Sequence, residues 1–393
     1  MSCAKTNTLT VIHRGTPLAL WTIVTQAFYV SKPLALAVLL LGCGGSSSSP
    51  AQDAASSSDA TAADAGAAHC EVATLALTTA LDEVVTDTDF TLLLRDSQGR
   101  SFGHSIGTSS PETLYESAST SKWVTAITIL RLVDAGVMSL SDRPQDYLPF
   151  WTSDAASPLS RITLADLLSF TSGLEETALC TNLGAANFGN CVETIYDANL
   201  ASPVEPGTAF YYESSHMQVA GLMAIRAAEL AGWAEVFSEF QSSTELFATA
   251  LYDLPSVANP RLAGGMHWRA TEYLEFLDAF FHDELLSAQL KTTVLADHTS
   301  SVEIRYSPAL ENIGEDWHYS FGFWLECQSS TFDCEGVRRI SSPGAYGAYP
   351  FIDYGLGYVG ILAREGALGS YPEGKRVLDT VETELRDWVN CQL

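Results

Sequence analysis

Basic residues are scarce in this sequence. Lys and Arg together number 20 against 47 Asp and Glu in 393 residues, a formal net charge of −27 at pH 7. A surface of that sign repels nucleic acid and anionic lipid, so neither is expected as a partner. Metal-ligand spacing is missing as well. No Cys-x-x-Cys and no cluster of histidines occurs, and neither a metal nor another cofactor is expected. The N-terminal apolar run, Pro33 to Leu41, is far shorter than the roughly 20 residues a membrane-spanning helix needs.

That short run has a different reading. Lys32 precedes it, and Leu40-Leu41-Gly42-Cys43 closes it in the manner of a bacterial lipobox with Cys43 as the lipidated residue. Residues 44–69 are Gly, Ser, Ala and Asp almost throughout, the composition of a flexible linker. The expected organisation is a signal peptide over 1–43, a linker over 44–69 and one domain over 70–393. It describes an exported lipoprotein of the cell envelope, facing the periplasm or the surface, that meets the membrane only through its lipid anchor.

Eight cysteines are present. Apart from Cys3 and Cys43, six remain, an even number that in an exported chain argues for disulfides. Sequence alone allows every pairing. Spacing favours Cys180 with Cys191 and Cys327 with Cys334 as local loops, which leaves Cys70 and Cys391 to join the two ends of the domain.

Along the chain, residues 71–86 read as a helix, and Phe90 to Leu94 and Ser101 to Gly107 as two strands of a hairpin turned at Asp96-Ser97-Gln98-Gly99. Gly103-His104-Ser105-Ile106-Gly107 fits the pattern of a strand-turn-helix nucleophile elbow, but Thr-Ser-Ser-Pro follows and no helix can start there, so it reads as a strand of small residues. Thr163 is the expected cap of a short helix. Residues 175–205 read as an irregular loop stapled by cysteines. Helices are expected from about Met217 to Ala231, from Thr271 to about Phe281 and from Val377 to Val389, with strands at Tyr319 to Leu325, Val337 to Ile340 and Gly357 to Leu362. Strands at both ends with helices between them predict an α+β fold, its terminal helices packed on one antiparallel sheet.

The chemistry centres on Ser119 and Lys122. Val124, Ile127, Leu130 and Val133 recur at helical spacing with Gly136 as the stop, which puts Ser119 at the helix start and Lys122 one turn on, on the same face. A hydroxyl becomes nucleophilic only when something takes its proton. An amine does this if burial or a second cationic neighbour lowers its pKa, and a helix N-terminus adds to the effect. Farther on, Tyr212 precedes a helix and Ser214 lies two residues beyond, an arrangement fit for a catalytic phenol beside a substrate-binding hydroxyl. His216 and His267 read as packing or rim histidines.

Five stretches taken together resemble one family, in the right order over roughly residues 71–390. Residues 116–126 (ESASTSKWVTA) resemble the Ser-x-x-Lys nucleophile segment of penicillin-binding-type serine hydrolases, especially the class C β-lactamase-related branch. Residues 162–174 (ITLADLLSFTSGL), 206–215 (PGTAFYYESS) and 262–268 (LAGGMHW) resemble its later segments. Residues 342–353 (SPGAYGAYPFID) stand where that family has Lys-Thr-Gly or His-x-Gly. The resemblance implies the β-lactamase/transpeptidase-like α+β fold with a mostly helical subdomain. It implies Ser119 as acylating nucleophile, Lys122 as proton acceptor, Tyr212 as proton shuttle, and an oxyanion hole from the N–H groups of Ser119 and Ala345, with Gly344 beside it.

Two positions depart from the pattern. Ser214 replaces the usual Asn, and Ser342 replaces the Lys or His that holds a substrate carboxylate; Lys291, followed by Thr-Thr, does not restore it. A charge-assisted hydrogen bond contributes roughly 1.5–3 kcal/mol, so its loss disfavours penicillins and peptide C-termini but not neutral esters. The expected activity is therefore acyl-enzyme hydrolysis of an ester, amide or peptide-like small molecule, ester-like by preference. The alternatives are a D,D-peptidase or β-lactamase that borrows a cation from Arg338 or Arg339, and a non-catalytic binding lipoprotein on the same scaffold.

Overall fold

The computed structural model describes residues 58–326 and 339–391, the side chains of 58–67 excepted. Among these residues the largest sheet has seven strands, in the spatial order Ser101–Ser105, Phe90–Asp96, Tyr358–Arg364, Tyr349–Asp353, Arg339–Ser341, Trp324–Glu326 and His318–Tyr319. Every neighbouring pair is antiparallel. Tyr358–Arg364 is buried along its whole length, as a central strand covered on both faces must be. The hairpin reading holds: Thr91 faces Ser105, and their hydroxyls hydrogen-bond at 2.8 Å, so Ser105 is a strand residue.

The helices Ser58–Glu83 and Glu382–Asn390 pack together, and a disulfide joins Cys70 to Cys391 with Cα atoms 5.1 Å apart. A second disulfide joins Cys180 and Cys191. Cys327 and Cys334 lie outside the described residues, as do the signal peptide and Cys43. The first helix starts inside the segment read as linker, because alanine-rich sequence extends a helix easily once a packed turn has nucleated it.

The second layer is helical. Ser215–Ala227 is buried from Ser215 through Ile225, and Ser121–Asp134, Leu164–Leu168, Phe188–Asn199 and Trp233–Thr244 surround it. The helix Phe188–Asn199 replaces the expected loop: Phe188, Val192 and Ile195 form a buried stripe at helical spacing, and Asn187 caps it. The cap at Thr163 is as expected, its Oγ1 accepting from the Asp166 N–H at 3.2 Å. Gly136, at φ 72°, follows the end of the helix Ser121–Asp134 as predicted. The closing helix is instead two, Tyr371–Thr380 and Glu382–Asn390, broken at Val381 so that both Val377 and Trp388 turn inward.

Candidate active site

Ser119 sits in a single tight turn, Ala118–Thr120, that runs directly into the helix Ser121–Asp134. Ala118 has φ 45°, a left-handed conformation that a non-glycine residue holds only when its surroundings enforce it. The stretch 262–268 supplies that enforcement. The strand Met266–Arg269 pairs with Leu114–Glu116, the Ser117 N–H donates to the Met266 carbonyl at 2.8 Å, and the Trp268 indole donates to Thr120 Oγ1 at 3.0 Å. Gly265 is obligatory, since a Cβ there would lie 2.1 Å from the Leu254 carbonyl oxygen.

Lys122 Nζ stands 2.9 Å from Ser119 Oγ and donates to the Ala263 carbonyl at 2.8 Å. Its side chain is 3% exposed. Burial, aided by the nearby Arg261 guanidinium and opposed by Glu213, brings the ammonium pKa down from 10.5 to about 7. A substantial share is therefore free amine near neutral pH. Tyr212 completes the group: Lys122 Nζ is 4.7 Å from its ring centroid, and the phenol is close enough to the Ser119 hydroxyl for that contact to act on its ionisation. Burial outweighs that contact and pushes the phenol above its ordinary pKa, so it remains protonated. The ring is held by stacking on Trp324 at 5.2 Å and by Phe170 at 5.5 Å.

The loop after Ser341 lies against the turn Ala118–Thr120. Gly344 permits this, since a Cβ there would stand 2.6 Å from the Ser117 carbonyl oxygen. Ala345 is thereby placed in the cleft wall beside Ser119, and its N–H has no acceptor among the described residues. Ser342 does not face the cleft. Its hydroxyl donates to the Ser119 carbonyl at 3.1 Å and to the Gly322 carbonyl at 3.4 Å, so it fixes the Ser119 backbone and is turned away from the cleft. Ser214 does line the cleft.

The profile of the beta-lactamase family matches residues 82–363. The chain belongs to the beta-lactamase family. Solved structures share its fold at low identity. A hydrolase with promiscuous acyltransferase activity, EstCE1, is 18% identical, with 82% of this chain and 99% of that one covered at a TM-score of 0.61. A simvastatin synthase from Aspergillus terreus is 15% identical over 86% and 99% of the two chains, TM-score 0.60. A D-stereospecific amidohydrolase from Streptomyces is 16% identical over 78% and 97%, TM-score 0.55. No curated protein matches the sequence. The chain is thus a serine hydrolase of the beta-lactamase family, and the different activities named for its structural neighbours leave the particular reaction to its own cleft.

That cleft has two lobes meeting at Ser119. One, of about 320 Å³, is walled by aromatic rings, Tyr212, Tyr306, Trp317, Trp324 and Tyr371 among them. The other, of about 190 Å³, is the polar lobe by its side chains Thr177, Thr181, Asn182, Arg261 and Tyr346, with Ala118, Ala263 and Leu368 adding apolar wall. Ser119, Lys122, Glu213, Ser214 and Ala345 line both. Among the described residues of the aromatic lobe, Lys122 is the sole cation. Arg339, a candidate substitute for the missing positive charge, is turned away, donating to Asp353 at 3.2 Å and to the Tyr358 hydroxyl at 3.1 Å; Arg338 lies outside the described residues. Lys291 is likewise committed elsewhere, to the Phe280 carbonyl and Asp283.

The histidines are structural, as read from the sequence. Burial drives the His216 imidazole down to about 3, and the neutral ring accepts from the Ser172 hydroxyl at 2.8 Å and donates to the Tyr211 carbonyl at 3.0 Å. His267 pairs with Asp253 at 2.6 Å. Sequence reasoning missed Arg261, Glu213 and the aromatic wall. Arg261 stands directly before the glycine-turn segment and Glu213 directly after Tyr212, so adjacency to the matched segments was the signal that marked them.

Proposed function

We propose that this protein is an esterase-like serine hydrolase of the cell envelope. Ser119 attacks the ester carbonyl, Lys122 as free amine takes its proton, and the Tyr212 phenol protonates the departing alkoxide. The N–H groups of Ser119 and Ala345 hold the oxyanion. Water then attacks the acyl-enzyme by the same proton path in reverse. The observation that carries this reading is the 2.9 Å approach of a desolvated lysine amine to the serine hydroxyl. Preference for esters over β-lactams rests on Ser342, whose hydroxyl is committed to the Ser119 backbone where a carboxylate-binding cation would be needed.

Stopped-flow hydrolysis of 4-nitrophenyl butyrate tests it. The expected result is a burst of nitrophenol equal to the enzyme concentration, with kcat/KM at least about a hundredfold above that for benzylpenicillin, the upper end of what one lost charge-assisted bond accounts for. No burst and no turnover would contradict the hydrolytic role; faster penicillin turnover would overturn the ester preference. The two disulfides support an oxidising compartment, in keeping with export and anchoring through Cys43. Incorporation of labelled palmitate that persists in Cys43→Ala would refute the anchor.

A further inference from the structure

Arg261 has no carboxylate partner among the described residues, in a molecule with more than twice as many acidic as basic side chains. Its one side-chain hydrogen bond is donated to the neutral Asn182 Oδ1. Glu213 lines the same lobe, Glu116 and Glu365 act on Tyr346 of that lobe, and among the described residues none forms an ion pair with Arg261. Glu213 accepts from the Thr177 hydroxyl at 2.9 Å and from the Ser215 N–H, Glu365 accepts from the Glu116 N–H at 2.9 Å, and Glu116 interacts with the Tyr346 hydroxyl. Arg261 is partly buried, its hydrogen bond to Asn182 is open to solvent, and in the wall of the polar lobe it offers planar donor geometry suited to a carboxylate.

The two lobes also differ in what they can do during the reaction. Tyr212 lines the aromatic lobe and not the polar one. A phenol that protonates the leaving alkoxide must touch the alcohol side of the ester, so the alcohol occupies the aromatic lobe and the acyl chain runs into the polar lobe. Resting on the esterase reading above, we propose that Arg261 binds a carboxylate at the far end of the acyl chain, making the substrate class the half-ester of a short dicarboxylic acid with an apolar or aromatic alcohol. Ser119 Oγ forms the new bond to the ester carbonyl carbon, and the bond from that carbon to the alkoxy oxygen breaks, releasing the alkoxide. The serine proton passes to Lys122 and a proton reaches the alkoxide through Tyr212. Water then cleaves the acyl-enzyme, giving the free dicarboxylate and restoring the serine.

The geometry accounts for the departure at Ser342. The family pattern puts its cation beside the strand that follows that residue. Here the cation lies across Ser119, in the lobe that holds the acyl group. An anionic ligand approaching a molecule with this overall charge needs a local positive anchor, and Arg261 is placed to be one.

The test compares monobenzyl glutarate with its neutral counterpart benzyl valerate, by chromatography of released benzyl alcohol at pH 9. Both esters are measured on the same variant, so any effect of Arg261 on Lys122 cancels in the ratio of the two substrates. The wild type is expected to favour the glutarate by roughly tenfold in kcat/KM, expressed in KM and shrinking as salt is raised. Arg261→Gln is expected to abolish the preference, Arg261→Glu to reverse it and Arg261→Lys to keep part of it. Turnover of both esters with a ratio near one, or a preference unchanged in Arg261→Gln, overturns the assignment and leaves the esterase reading standing. Failure of the wild type to hydrolyse either ester overturns both.

Discussion

Replacing Lys122 with methionine is expected to lower kcat/KM for esters by about 10³–10⁴, the range lost with a general base that activates a nucleophile. The same substitution is expected to stabilise the fold. In the folded protein the ammonium titrates at about 7, against 10.5 for an unburied lysine. Between those values the unfolded chain binds a proton that the folded chain has shed, so Lys122 opposes folding. Its cost is absent above the unfolded value, grows as pH falls from about 10.5 to about 7, and is constant below that. The full difference corresponds to roughly 5 kcal/mol, of which roughly 4 is present at pH 7. Methionine removes that cost but leaves the Ala263 carbonyl without its donor, which returns part of the gain. A net increase of about 1–2 kcal/mol in unfolding free energy at pH 7, shrinking towards pH 10, follows, and urea denaturation across that pH range measures it. A variant both inactive and less stable would show that the amine is a structural contact and not a strained catalytic base.

Tyr212→Phe carries the second large effect, and its size depends on the leaving group. Burial keeps the phenol protonated, so its task is to donate. Benzyl or alkyl alkoxides need that proton, and kcat is expected to fall by about 10²–10³. Nitrophenolate leaves without one, and with its esters the loss is expected to be less than about tenfold. The stacking on Trp324 and Phe170 survives the substitution, so the thermal midpoint stays close to that of the wild type. Equal losses with both leaving groups would move Tyr212 from proton donation to positioning.

These effects were traceable to the sequence to different depths. Ser119 and Lys122 could be paired because three residues along a helix is a fixed geometry, and the structure puts their side-chain polar atoms within hydrogen-bonding distance. The antiparallel sheet and the paired terminal helices followed from alternation at both ends of the chain. What a side chain does after the backbone has folded was not legible. Ser342 occupies the family's cation position, yet its hydroxyl turns back to the nucleophile's own carbonyl, a direction set by a loop packed 223 residues away in sequence. Arg261 carries no pattern of its own. Only the folded cleft shows a guanidinium across Ser119 from the aromatic wall. The helix Phe188–Asn199 was hidden because cysteine and glycine within it read as loop signals, while its buried stripe decided otherwise.

The most direct test of the central claim is labelling of the purified protein with a fluorophosphonate, the adduct being mapped by peptide mass spectrometry as a function of pH. One adduct on Ser119 is expected, at a rate that rises with pH through about 7 as Lys122 loses its proton, and none on Ser119→Ala. Labelling that survives Ser119→Ala, or a rate that falls as pH rises through that range, would contradict a serine made reactive by a desolvated lysine.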